Sequence, residues 1–174
     1  MGPAAIAQAI AKLAKCAAAG TADVRLPGFA VCVSMDGSVY KSEVRAAATC
    51  ADGGWHPLLL LVPLRLGLDR LNIAYIYSLQ SLLALPQSIG IVGGRPGKSY
   101  YFVGLQGEQL LYLDPHEVQP ALSAGLPDAA SCHYGRGIRA MAISQIDPSL
   151  ACACSHLSPT PLTSHYAPPV SRCP

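Results

Sequence analysis

The sequence predicts a single α/β domain, and three observations carry that prediction. Its 174 residues suffice for one hydrophobic core and are too few for two of ordinary size. Segments with apolar residues at helical spacing alternate with short β-prone runs, and in the second half those runs are cut apart by glycines. Apolar residues make up 51% of the chain and charged residues 13%, with a formal net charge of +2. That balance suits a packed globule and excludes a disordered polyelectrolyte or a surface built to neutralise phosphates, so nucleic acid is not an expected partner.

Pro3 suits the first turn of a helix, and Ile6, Ile10 and Leu13 recur at near-helical spacing until Gly20 stops the pattern. Lys12 and Lys15 lie inside this Ala-rich stretch instead of before it, so it reads as an amphipathic helix and not as a targeting peptide. Phe29 to Val33 is a short β-prone run with turn residues after it at Met35-Asp36-Gly37-Ser38. A helix over Ser42 to Ala48 and a loop at Ala51-Asp52-Gly53-Gly54 lead to Leu58–Leu64, apolar throughout, which suits a strand buried on both faces. Pro63 and Arg65 hold that run far below the ~20 residues of a membrane-spanning helix, and no transmembrane segment is expected. Asp69 is the expected N-cap of the next helix, with Ile73, Ile76, Tyr77, Leu79 and Leu83 on one face and Pro86 at its end. Ile89–Val92, Tyr100–Leu105 and Gln109–Leu113 are joined by Gly93-Gly94-Arg95-Pro96-Gly97 and Gln106-Gly107, the pattern of an antiparallel meander. Arg139–Ile143 and Leu150–Cys154 add two further strands. From Ser155 onward Pro159, Pro161, Pro168, Pro169 and Pro174 crowd a Ser/Thr-rich stretch, so the domain is expected to span residues 1–154 and a disordered tail residues 155–174.

Seven cysteines, an odd number, are scattered from Cys16 to Cys173, several of them in apolar contexts. This is the usage of reduced, buried thiols in a cytoplasmic protein. Asp114 and His116 flank Pro115 at the end of a predicted strand; residues two apart on an extended chain share a side, so the carboxylate can orient the imidazole as a general base requires. The same tripeptide also serves as a plain strand exit. Cys152, Cys154 and His156 alternate and form either a buried strand face or, with Cys132-His133, a zinc site; their spacing departs from the usual paired-ligand knuckles, and no metal or other cofactor is expected. The glycine-rich run through Gly97 lacks the Gly-Lys-Ser/Thr ending of a phosphate loop and reads as a turn. Trp55, the single tryptophan, is read as a partly buried anchor or as a hydrophobic cover.

Taken in order, Trp55-His-Pro-Leu-Leu-Leu-Leu-Val-Pro-Leu-Arg-Leu-Gly-Leu68, Pro86-Gln-Ser-Ile-Gly-Ile-Val-Gly-Gly94, Tyr101-Phe102, Leu111-Tyr-Leu-Asp-Pro-His-Glu-Val-Gln-Pro120 and Ile146-Asp-Pro-Ser149 resemble the autophagy-specific cysteine peptidases called autophagins. With the opening Gly2-Pro3 helix the resemblance runs from about Gly2 to Cys154. It implies a papain-like fold and an endopeptidase that cuts the ubiquitin-like autophagy modifier after a carboxy-terminal glycine, to mature it and to release it from membrane lipid. Free and lipid-conjugated modifier are the implied partners, and contact with autophagic membranes is peripheral, through the substrate. Carried over, Asp114 and His116 match the acid and base of a Cys-His-Asp triad. Trp55 matches a tryptophan over the active-site entrance, and Arg95, Pro96 and Gly97 match a regulatory loop that packs against that tryptophan and lifts for substrate.

Two departures qualify the match. The family's nucleophile is a cysteine at a helix start behind a Gly-Trp-Gly stretch, upstream of the helix that Gly2 to Lys15 resembles, and none of the seven cysteines has that context. A histidine found in the family before Tyr101-Phe102 is Tyr100 here. The expectation is a papain-like domain without its nucleophile helix and inactive by itself, since a base with no thiol to deprotonate supports no covalent catalysis. The alternative is an inactive module that binds the modifier.

Overall fold

A computed structural model describes residues 2–19, 29–116, 118 and 139–156. Helix α1 (Pro3–Ala18) opens the chain with Pro3 in its first turn. Strand β1 (Ala30–Val33), helix α2 (Lys41–Ala48) and strand β2 (Leu58–Arg65) follow. A 3₁₀ turn (Ile73–Tyr75) runs into α3 (Ile76–Leu83), and β3 (Ser88–Arg95), β4 (Lys98–Gln106) and β5 (Gln109–Leu113) form the expected meander. Strand β6 (Arg139–Ala142), a 3₁₀ turn (Ile143–Gln145) and β7 (Ser149–His156) complete it.

The strands make one seven-stranded sheet in the order β1-β2-β7-β3-β4-β5-β6. Among the described strands only β1 and β2 run parallel, which is the pair that a helical crossover, α2, connects. Strand β7 lies between β2 and β3, antiparallel to both. Burial on both faces explains the unbroken apolar run in β2. One face carries the larger core, in which Leu79, Phe102, Leu110 and Leu150 are fully buried and Val62, Leu71, Ile91, Tyr100, Ile143, Ile146 and Cys152 pack around them. On the other face α1 lays Ala7 and Ile10 against Val31, Val33, Leu59, Leu61 and Ala153.

Two bulges interrupt the sheet. Ile89 is the extra residue opposite β7 and Val103 the extra residue opposite β5, and both are exposed because a bulged residue loses its place in the pleat. Gly90 follows the first bulge at φ +128°, and a Cβ there would stand 2.5 Å from the Phe102 carbonyl oxygen, so only glycine fits.

The structure departs from the sequence-based expectations in three places. Asn72, not Asp69, caps the third helical segment: its side chain accepts a hydrogen bond from the Ala74 N–H at 3.0 Å. A bridge between Gly67 and Leu71 turns Asp69 onto the loop apex, and the predicted apolar face splits, with Leu79 buried but Ile73 and Tyr77 exposed. Ser155 and His156 continue β7 instead of starting a tail; the rest of the expected tail, residues 157–174, lies outside the described residues, as do Cys132 and His133. Gly93, Gly94 and Arg95 are strand residues, which leaves Pro96-Gly97 alone as the turn.

Candidate active site

Strand β5 ends where Pro115, with no N–H, can extend the ladder no further. The Asp114 carboxylate then folds the chain on itself. Its Oδ1 accepts the His116 backbone N–H at 3.0 Å, an Asx-type turn, and the same oxygen stands 2.7 Å from His116 Nδ1. The pair expected from the sequence is therefore present, but a turn brings it together and not a shared face of extended chain. Asp114 is 9% exposed at its side chain, and His116 is 52% exposed. The carboxyl is held below its ordinary value of 3.8 mainly by the His116 backbone N–H, then by the imidazole hydrogen bond, with the charges of His116 and Arg139 adding to it.

The imidazole rests against an aromatic floor. Tyr100, buried on β4, presents its ring edge-on to His116 with centroids 6.4 Å apart, and it packs on Tyr112 at 4.4 Å and Phe102 at 6.3 Å. The position at which the sequence departs from the autophagin pattern is thus the one that supports the imidazole. Arg139, on β6, donates from Nη1 to Asp114 Oδ2 at 3.3 Å. Sequence reading passed over it because residues 117–138 separate it from the pair, and no local pattern marks such a contact.

Arg95, Pro96 and Gly97 lie at the same end of the sheet. Pro96 and Gly97 are the two central residues of the β3–β4 hairpin, and Gly97 at φ +81° after a proline has the signs of a type II turn. Gly94 is needed at its base, since a Cβ there would meet the Lys98 carbonyl oxygen at 1.9 Å. Beside the turn, the start of α1 (Gly2, Pro3, Ile6) and Asp147 and Ser149 enclose a cleft of about 350 Å³.

Trp55 does not join them. It sits three residues before β2 and bridges Thr49, at the end where Leu58 pairs with Ala30 and His156. Arg95 and Asp114 lie at the other end, level with Arg65 and Leu64, so the length of β2 intervenes, roughly 20 Å at ~3.3 Å per residue. Trp55 therefore does not cover this pair; it is half-buried in the α2–β2 connection.

The described cysteines are also away from the pair. Cys32 and Cys154 flank Leu60 in one row of the sheet's Trp55 half, and Cys152 is in the core. Burial pushes all three thiols up, Cys152 to about 12, so they stay protonated. Cys16 lies near the far end of α1, and Cys50 in the α2–β2 loop. Cys152 and Cys154 do alternate onto one face of β7, but among the described residues no group of three His, Cys, Asp or Glu side chains is gathered to hold a metal. No helix among them is long and apolar enough to cross a membrane.

Residues 1–157 match the peptidase C54 catalytic domain. The chain is 42% identical over 130 residues to a cysteine protease ATG4B of Gallus gallus, an alignment covering 71% of this chain and 33% of that protein. It is 44% identical over 131 residues to a probable cysteine protease ATG4 of Phaeosphaeria nodorum (75% and 27%), and 48% identical over 114 residues to a cysteine protease ATG4A of Oryza sativa subsp. japonica (61% and 24%). The chain spans about a third or less of the length of these relatives. With a mixed α/β architecture and a family match over all of its described residues, the chain belongs to the peptidase C54 family of autophagin-type cysteine peptidases and has their papain-like fold.

Proposed function

We propose that this chain carries the acid–base half of a thiol-dependent endopeptidase centre. Its substrate is a ubiquitin-like autophagy modifier, cut after a carboxy-terminal glycine both in its precursor and in its lipid conjugate. The carrying observation is the 2.7 Å contact between His116 Nδ1 and Asp114 Oδ1 in a chain of this family. With Oδ1 accepting from Nδ1–H, the neutral imidazole keeps its Nε2 lone pair for a thiol proton. The thiolate adds to the glycine carbonyl carbon; collapse of the tetrahedral species expels the amine, which takes its proton from His116. Water, giving a proton to the same imidazole, then cleaves the thioester and restores the thiol. Asp114 stays ionised throughout, as its lowered pKa allows. The Arg95-Pro96-Gly97 turn gates access from the same end of the sheet. The site of action is the cytoplasm, with membrane contact made only through lipid-conjugated substrate.

The nucleophile in this reading is none of the seven cysteines, because none of them stands at a helix start behind a Gly-Trp-Gly stretch. The 174-residue chain alone is therefore expected to show no turnover of a modifier–reporter fusion. Thiol-dependent cleavage that disappears when one of its own cysteines is replaced would overturn that reading.

A second reading, an inactive module that binds the modifier, is favoured by a separate observation. Leu68 and Ile73, on the connection between β2 and α3, and Tyr77, in the first turn of α3, are 80%, 76% and 78% exposed near the sheet end that also holds Arg95. Clustered exposed apolar side chains mark interaction surfaces. Calorimetry with the modifier is expected to show binding that is lost when Leu68 and Ile73 are both changed to Ser; no binding by the unaltered chain would remove this reading.

A further inference from the structure

The two oxygens of the Asp114 carboxylate have different anchors. Oδ1 is engaged twice by His116, two residues away, in a turn that needs no tertiary structure to form. Oδ2 is engaged by Arg139 of β6, twenty-five residues on. The β5–β6 ladder closes at the pair Tyr112–Arg139, and the guanidinium reaches past that last rung to the carboxylate. A carboxyl torsion is broad and roughly two-fold, so a carboxylate tied at one oxygen only can swing away from its partner. The bond from Arg139 removes that freedom and fixes the carboxylate to the sheet.

We infer that Arg139 is a positioning residue, which acts through Asp114 Oδ2 to hold Oδ1 on His116 Nδ1 and so keeps the imidazole in the tautomer with Nε2 free. This rests on reading Asp114 and His116 as the acid–base pair. Arg139 is half exposed, and an exposed charge pair of this kind is modest in effect, on the order of a threefold bias between tautomers.

The experiment uses long-range proton–nitrogen correlation spectra of the isotope-labelled 174-residue chain, recorded above the imidazole titration, with His116 assigned among the five histidines by His116→Gln. The ratio of Nδ1–H to Nε2–H tautomer at His116 is expected to fall about threefold in Arg139→Met and to be partly rescued in Arg139→Lys, which restores the charge without the planar fork. Molar salt should move the wild-type ratio in the same direction as Arg139→Met. A ratio unchanged in Arg139→Met overturns the inference. Should that variant lose the dispersed amide spectrum of a folded chain, the salt titration decides, and a flat ratio there overturns it. Asp114→Asn separates the two levels: if it leaves His116 unaltered, the pairing itself fails, and if it alone shifts the ratio, only the role of Arg139 does.

Discussion

The two ends of the sheet are built from different chemistry. At one, a short hairpin of glycine and proline, a half-exposed imidazole, a carboxylate and a guanidinium gather at the ends of β3, β4, β5 and β6. At the other, Trp55, Cys32 and Cys154 sit among leucines of β1, β2 and β7. Sulfur is plentiful where burial opposes its ionisation, and the base stands where the described thiols are absent. A cysteine count is therefore no guide to a cysteine peptidase centre; the surroundings of each thiol decide.

The contrast can be broken most forcefully beneath the site. Phe102 is fully buried under Tyr100 and Tyr112, so Phe102→Ala should cost about 3–5 kcal/mol in urea unfolding. A cost near zero would mean that the aromatic floor is loose and the imidazole unsupported. Next, because burial pushes the Cys152 thiol up to about 12, it should be alkylated far more slowly than an exposed thiol until denaturant is added. Rapid labelling of folded protein would make the sulfur-rich half a candidate source of nucleophile after all.

Two glycines of one hairpin sharpen the picture at smaller scale. Gly94→Ala forces a Cβ against the Lys98 backbone and should cost about 2–3 kcal/mol, whereas Gly97→Ala has open space around it and meets only the left-handed φ, about 1 kcal/mol. Equal costs would show that the β3–β4 turn relaxes freely. The smallest effect is acidic. The Asp114 carboxyl is lowered in the folded chain, so its contribution is complete above the unfolded value near 3.8 and is lost as pH falls through the lower folded value. Carbon-detected titration should place its midpoint below 3.8 in the wild type, and Asp114→Asn should flatten the acid limb of the stability curve; an unshifted midpoint would deny the hydrogen bonds from His116.

Strands and helices were legible because glycines and prolines punctuate the apolar runs and because α1 keeps helical spacing over four turns. The cap at Asn72 was missed because Asp69 offers the same chemistry three residues earlier, and only the Gly67–Leu71 bridge decides between them. The acid–base pair was legible since two residues of sequence hold it, although a turn and not a pleat makes the contact. Trp55 and Arg139 were beyond reach for one reason: each depends on sheet register, and periodicity carries no information about which strand lies beside which. A resemblance placed Trp55 over the site, and the register of β2 against β7 moves it to the far end.

The placement of β7 also bears on biosynthesis. The last strand made among those described is an interior one, and β2 and β3 meet only through it. A ribosome that has released everything up to Asp147 has delivered two half-sheets, β1–β2 and β3–β6, each with an unpaired edge where β7 will insert. Long-range pairing of this kind is slow and leaves such edges open to other chains. Chains truncated just before Ser149 and released should therefore be markedly more sensitive to protease and to chaperone capture than released chains extended by the eight residues of β7.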